Sequence, residues 1–91
     1  MRVEADTAYP EGQLTLATAN VLLEEGLQAM AQGCAQFDLS GVSHVDSAAL
    51  SLMMSWKRAA ASQGRPLSFR NIPATLSSLA TLYGVAEFLD A

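Results

Sequence analysis

The sequence predicts a small α/β domain with a small mixed β-sheet, parallel crossovers and helices mainly on one face. Segments in which apolar and polar residues alternate are separated by segments with apolar residues at helical spacing, and strands connected this way pair in parallel. Two extended segments come first with no helix between them, so they can add an antiparallel edge. The length of 91 residues predicts a single domain over residues 1–91.

The chain begins with the two extended segments. Residues 2–6 predict a weak strand, and residues 6–14 predict a second extended segment that turns at Pro10 and Gly12. The first helix is predicted over residues 18–32, because apolar residues recur there at helical spacing, namely Val21, Leu23, Leu27 and Met30. Gly33 follows that helix as its C-terminal stop.

The middle of the chain predicts a central strand followed by the longest helix. Residues 35–39 alternate apolar with polar side chains, and Ser40-Gly41 ends the strand. Asp46 predicts the N-cap of a helix over residues 47–63, because its side chain can accept a hydrogen bond from a free backbone N–H.

The C-terminal third predicts a further strand and helix. Residues 65–71 predict a strand, and the helix that follows is opened by Pro73 and closed by Gly84. A short tail completes the chain, and its apolar residues are expected to cover the edge of the core, namely Val85, Phe88 and Leu89.

Composition narrows the classes of function. Five basic against nine acidic residues give a net charge of −4, which argues against a nucleic-acid partner because phosphate contacts need a basic patch. No apolar run approaches the roughly 20 residues that span a bilayer, and no signal-peptide core is present, so we expect a cytoplasmic protein without direct membrane insertion. One cysteine, Cys34, and one histidine predict no disulfide, metal site or cofactor.

The helix predicted over residues 47–63 has two distinct sides. At 100° per residue, the side expected to pack on the sheet carries Ala49, Met53, Trp56 and Ala60, flanked by Leu50, Leu52 and Ala61. The opposite side, here called the serine stripe, carries Ser47, Ser51, Ser55, Arg58 and Ser62. Solvent-facing helices usually carry Glu and Lys, so a small, nearly uncharged stripe favours a docking surface. The alternative is a solvated face without a partner.

The predicted partner-binding residues extend that stripe toward the start of the helix. They are Ser43, His44, Ser47, Ser51, Ser55 and Arg58. Catalysis by Ser47 would need a general base, and His44 is the only histidine, expected in an exposed loop ahead of the helix. With no G-x-S-x-G elbow, we expect no enzyme.

Ser47 is also a candidate phosphoacceptor, with Asp46 and Asp38 adjacent. A phosphoryl group there would gain from the helix N-terminus and be opposed by the carboxylates. It would add nearly two negative charges to the upper end of the serine stripe.

Two motifs carry a resemblance to a known family. Asp38-Leu39-Ser40 and the segment DSAAL at residues 46–50 resemble the pattern of STAS domains. Within that family, residues 79–85 (LATLYGV) are similar to the MlaB-like branch. The resemblance implies a small cytoplasmic subunit, peripheral to the inner membrane, that binds the ATPase of an ABC transporter maintaining outer-membrane lipid asymmetry.

The family leaves two other functions open. In its anti-sigma factor antagonist branch, a partner kinase phosphorylates the serine that corresponds to Ser47. A plain interaction module that forms a homodimer through an isologous contact is the third hypothesis.

Overall fold

Six strands and four helices form along residues 1–90, the part of the chain that the computed structural model describes. In chain order they are β1 Arg2–Glu4, β2 Thr7–Tyr9, β3 Gly12–Leu14, α1 Ala19–Ala31, β4 Gln36–Asp38, β5 Val42–Val45, α2 Ser47–Ser62, β6 Ser68–Arg70, α3 Ala74–Leu82 and α4 Ala86–Asp90.

The main sheet has the strand order β1-β2-β4-β6. The strands β1 and β2 are antiparallel, while β4 pairs in parallel with both β2 and β6. This arrangement confirms the predicted mixed sheet, with an antiparallel edge and parallel crossovers through the helices.

Alternation along these short strands separates the two faces of the main sheet. The register aligns Val3, Ala8, Phe37 and Phe69, so their side chains share one face. That face packs against the helices, since the rings of Phe37 and Trp56 lie 4.5 Å apart between centroids. The aligned row on the other face is polar and consists of Glu4, Thr7, Gln36 and Ser68. The prediction of helices mainly on one face is confirmed.

A second sheet, made of β3 and β5 in parallel, is absent from the sequence prediction. The segment predicted as one extended stretch over residues 6–14 instead forms two strands that join different sheets. They separate at Pro10, a buried residue without a backbone N–H. The sequence also predicts a loop at His44, and this prediction is wrong, because His44 lies in β5 opposite Gln13.

The helices begin and end close to their predicted bounds. After α1 and α2, Gly33 and Gly64 adopt positive φ angles of 104° and 66°, the conformation that ends a helix most readily with glycine. Two side-chain predictions are wrong. Ala61 is exposed on α2, and Phe88 on α4 is 60% exposed instead of covering the core. Leu89 does reach the core.

The position of α2 against α1 is fixed by Trp56. This side chain is fully buried, and its indole Nε1 donates a 3.3 Å hydrogen bond to the carbonyl oxygen of Leu23 in α1. The indole lies directly over Gly26, where an added Cβ would be 2.2 Å from Nε1 and 2.4 Å from Cε2. Only glycine therefore permits this approach of the two helices.

Gly26→Ala tests this contact. Alanine favours a helix interior over glycine by about 1 kcal/mol, so without the indole the change should stabilise α1. Because the methyl group must displace Trp56, we expect the opposite sign, a loss of about 2 kcal/mol in the free energy of unfolding. Urea denaturation measures it, with Asn20→Ala on the exposed side of α1 as the control. A Gly26→Ala protein as stable as the parent would contradict the packing.

Candidate functional site

Asp46 begins α2 as the sequence predicts. Its backbone is extended, and Oδ1 accepts a 2.8 Å hydrogen bond from the backbone N–H of Ala48. The other carboxylate oxygen, Oδ2, accepts a 3.1 Å hydrogen bond from the backbone N–H of Leu16. One side chain thus serves both the helix start and the segment that connects β3 to α1.

The connecting segment is a tight turn that presents Leu16 to solvent. The Thr18 hydroxyl accepts a hydrogen bond from the Thr15 N–H at 3.1 Å and donates one to the Gln13 carbonyl at 2.8 Å. Leu16 in the middle of the turn is 81% exposed. A large apolar side chain is therefore held outside the core beside the start of α2.

The serine stripe faces outward. Ser47, Ser51, Arg58 and Ser62 are exposed, and Ser55 is half-buried. The inward side of α2 carries the predicted core residues Ala49, Met53, Trp56 and Ala60, with Leu50 and Leu52 also buried. The helix is therefore oriented about its axis as its periodicity predicts.

Two hydroxyls of the serine stripe are engaged within α2. The Arg58 Nη2 donates to the Ser55 hydroxyl at 3.3 Å, and the Ser62 hydroxyl donates to the Ala59 carbonyl at 2.9 Å. Such local hydrogen bonds keep short polar side chains close to the helix surface. In the C-terminal half of the serine stripe, the hydroxyls of Ser55 and Ser62 therefore lie close to the helix, and Arg58 is the charged residue.

An apolar groove of about 560 Å³ adjoins the upper half of the serine stripe. Ser47 and Ser51 contribute to its lining, together with Asp46 and Ala48. The other lining residues are large and apolar and come from three parts of the chain: Leu16, Leu50, Met54, Tyr83 and Val85. We call this the α2 groove. It joins the N-terminal half of α2 to the turn before α1 and the segment after α3.

The apolar walls of the α2 groove are what the sequence prediction missed. The sequence analysis leaves Leu16 between the second extended segment and the first helix, and it assigns Val85 to the edge of the core. Tyr83, 58% exposed, and its neighbour Leu82, 76% exposed, supply the signal that was available. They are two consecutive large apolar residues at the end of α3, and exposed apolar side chains that lie together are typical of a contact surface.

Ser43 and His44 lie outside the α2 groove. Both are exposed on β5, and they line a smaller cavity of about 250 Å³ with Pro73 and Thr75. The six predicted partner-binding residues therefore divide among two cavities and the lower helix. Ser47 and Ser51 share the groove, Ser43 and His44 share the second cavity, and Ser55 and Arg58 continue down α2.

His44 is placed to interact with Ser43. Its Nδ1 lies 3.1 Å from the Ser43 hydroxyl, and within residues 1–89 no hydrogen bond joins the imidazole to Ser47. A serine nucleophile needs a base within hydrogen-bond reach. The structure does not form that pair at Ser47.

Asp38 is held at the end of β4. Its Oδ1 accepts a 2.9 Å hydrogen bond from the Ser40 N–H, and both carboxylate oxygens accept from the Asn71 side-chain amide at 3.2 and 3.1 Å. The Ser40 hydrogen bonds, followed by those of Asn71 and the charge of Arg70, lower the pKa of Asp38. These hydrogen bonds of Asp38 thus go to Ser40 and Asn71, while Asp46 directly precedes Ser47 in the chain.

Neither a metal site nor a transmembrane helix is found in the described part of the chain. Histidine, cysteine, aspartate and glutamate side chains do not cluster there in groups of three that could hold an ion. Cys34 is buried as a free thiol, and its burial raises its pKa. No helix over these residues has the length and hydrophobicity to cross a membrane.

The lowered pKa of Asp38 predicts a pH dependence of stability. The folded state stabilises the ionised form of the Asp38 side chain. The contribution of Asp38 to the free energy of unfolding is therefore complete above the unfolded pKa of about 3.9, and it is lost as the pH falls through the lower pKa of the folded state. We expect Asp38→Asn to be less stable than the parent at pH 7, with a difference that shrinks by pH 3. Urea unfolding at both pH values measures it. An equal deficit at pH 7 and pH 3 would show that charge is not the cause.

A protein-family model described as "Mlab, STAS domain" matches residues 11–90. The match begins one residue before β3 and runs through α4, so it includes both motifs, the serine stripe and the α2 groove. No curated protein matches the chain.

Proposed function

The chain belongs to the MlaB-like STAS domain family, and on that premise we propose that it is a non-catalytic adaptor of an ABC transporter. STAS domains act through protein–protein contact. The proposed partner is the ATPase subunit of a transporter that moves phospholipids to maintain outer-membrane lipid asymmetry. The adaptor would bind and support that ATPase in the cytoplasm and lie at the inner membrane through the complex.

The observation that carries the proposal is the continuity of the serine stripe with the α2 groove. The stripe and the groove form one surface along α2, the longest helix, with exposed hydroxyls and apolar walls. This surface begins at Leu16, beside the start of α2, and extends along the helix to Arg58. Small side chains lose little entropy on burial and let another backbone approach closely. Adjoining apolar walls can take up a larger side chain from the partner.

The charge at the α2 groove favours a partner segment without acidic residues there, while Arg58 is the charged residue of the lower serine stripe. Asp46 is the one charged side chain among the residues that line the α2 groove, and the whole chain has a net charge of −4. Like charges brought together in an interface cost several kcal/mol. We therefore expect a helical part of the ATPase with apolar and neutral or basic residues to contact the α2 groove.

The exposed hydroxyl of Ser47 favours a second candidate function, that of an anti-sigma factor antagonist. Ser47 is the first residue of α2, exposed at the edge of the groove, and accessible to a kinase. The test is incubation with an anti-sigma factor kinase encoded near this chain, followed by intact-mass measurement. A mass increase of one phosphoryl group that Ser47→Ala removes would support this function, and an unchanged mass would eliminate it.

Ser51→Glu tests the adaptor function. Ser51 is exposed in the middle of the surface and lines the groove, so a carboxylate there is harmless to the free protein and must be desolvated in a complex. We expect co-purification with the ABC ATPase to be lost, and the affinity to fall at least about tenfold. Ser55→Arg, one turn further along α2, should have a similar effect.

Gln28→Glu is the matched control. It adds the same charge on the exposed side of α1, away from the proposed surface, and should leave binding unchanged. Circular dichroism and light scattering on all variants establish that they are folded and report the oligomeric state. Normal binding by both α2 variants would place the docking face elsewhere. A dimer that Ser51→Glu dissociates would instead favour self-association through this face.

A further inference from the structure

We propose that Asp46 is the positioning residue of the α2 groove, and that the carboxylate oxygen not used to cap α2 holds Leu16 over it. This inference deepens the proposed function and rests on it for the docking role. The positioning itself is a property of the free chain and is tested without a partner.

The hydrogen bond between Leu16 and Asp46 extends the pairing of β3 with β5. In that sheet Leu14 lies opposite Val45, and the Asp46 N–H donates to the Leu14 carbonyl at 3.3 Å. At Asp46 the backbone turns into α2, and the Asp46 carbonyl accepts the Ala49 N–H at 3.0 Å. The side-chain Oδ2 takes over as acceptor for the Leu16 N–H at 3.1 Å.

Packing does not hold Leu16 in place. Its side chain is 81% exposed, and its neighbour Ala17 is exposed as well. The turn is closed on one side by the Thr18 hydroxyl, which accepts from Thr15 and donates to Gln13. The hydrogen bond to Asp46 is what connects this turn to α2. Without it, no hydrogen bond in the described part of the chain would join Leu16 itself to the start of α2, and the nearest one is that from the Asp46 N–H to the Leu14 carbonyl.

The two hydrogen bonds of the Asp46 side chain, to the N–H of Ala48 and to the N–H of Leu16, can be separated by substitution. Serine is as good an N-cap as aspartate but has one oxygen, so Asp46→Ser can keep the bond to Ala48 and lose the bond to Leu16. Asparagine has one carbonyl oxygen and one NH₂ group, so Asp46→Asn also lacks the second acceptor. Asp46→Ala removes both bonds and serves as the variant in which the cap fails too.

Amide hydrogen exchange followed by NMR on the isolated chain tests the positioning. We expect the Leu16 N–H to exchange at least about fivefold faster in Asp46→Ser and Asp46→Asn, because its acceptor is gone. The Ala48 N–H should stay protected in Asp46→Ser and become exposed to exchange in Asp46→Ala. A loss of the cap alone would not change Leu16. Unchanged exchange at Leu16 in both cap-preserving variants would overturn the proposal.

Binding to the ABC ATPase tests the consequence for docking. We expect Asp46→Ser to bind about fivefold more weakly than the parent while its thermal unfolding is nearly unchanged, and Leu16→Ala to lose a similar factor. If the parent binds and Asp46→Ser binds equally well while Leu16 exchanges faster, the role of Asp46 in docking is refuted. If the parent does not bind the ATPase, the proposed function fails, and the exchange of Leu16 still decides the positioning.

Discussion

The contact between Trp56 and Gly26 is the constraint on which the exposed surface depends. The rotation of a helix about its own axis decides which of its faces is buried and which is exposed. For α2 this rotation is fixed by the large side chain of Trp56, which packs against the backbone of α1 at Gly26. The indole packs edge-on against Phe37 of the central strand and donates a hydrogen bond to α1. With Trp56 held inward, the serines at successive turns of α2 are directed to solvent.

The start of α2 is where distant parts of the chain meet. The central strand β4 ends at Asp38, and the chain then continues through β5 to Asp46. In the second sheet, Leu14 of β3 lies opposite Val45, the residue before Asp46. The segment after α3 contributes Tyr83 and Val85 to the same place. Together with Leu16 from the turn before α1, these residues line the groove beside the exposed Ser47, which gives this end of the domain an apolar concave surface.

The sequence predicts the parts of this structure whose signals are local. The spacing of Met53 and Trp56 gives the faces of α2, Asp46 gives its start, and Gly33 and Gly64 give two helix ends, because each depends on residues within one or two turns. β5 escapes prediction because Val42–Val45 does not alternate cleanly and becomes a strand only by pairing with β3, where Leu14 lies opposite Val45, 31 residues away along the chain. Gly26 escapes for a similar reason, since its importance comes from an indole on another helix. The α2 groove forms where three segments that are far apart in the sequence come together, so it could not be inferred from any one of them.

The most direct measurement is a methyl NMR titration of the chain with the ATPase subunit. Methyl groups of Leu16, Met54 and Val85 line the groove, whereas Val3 lies on the edge strand of the main sheet. We expect the three groove methyls to shift or broaden on complex formation while Val3 is unaffected. A complex that perturbs Val3 and leaves the groove methyls at their free positions would contradict the claim that a partner covers this side of α2.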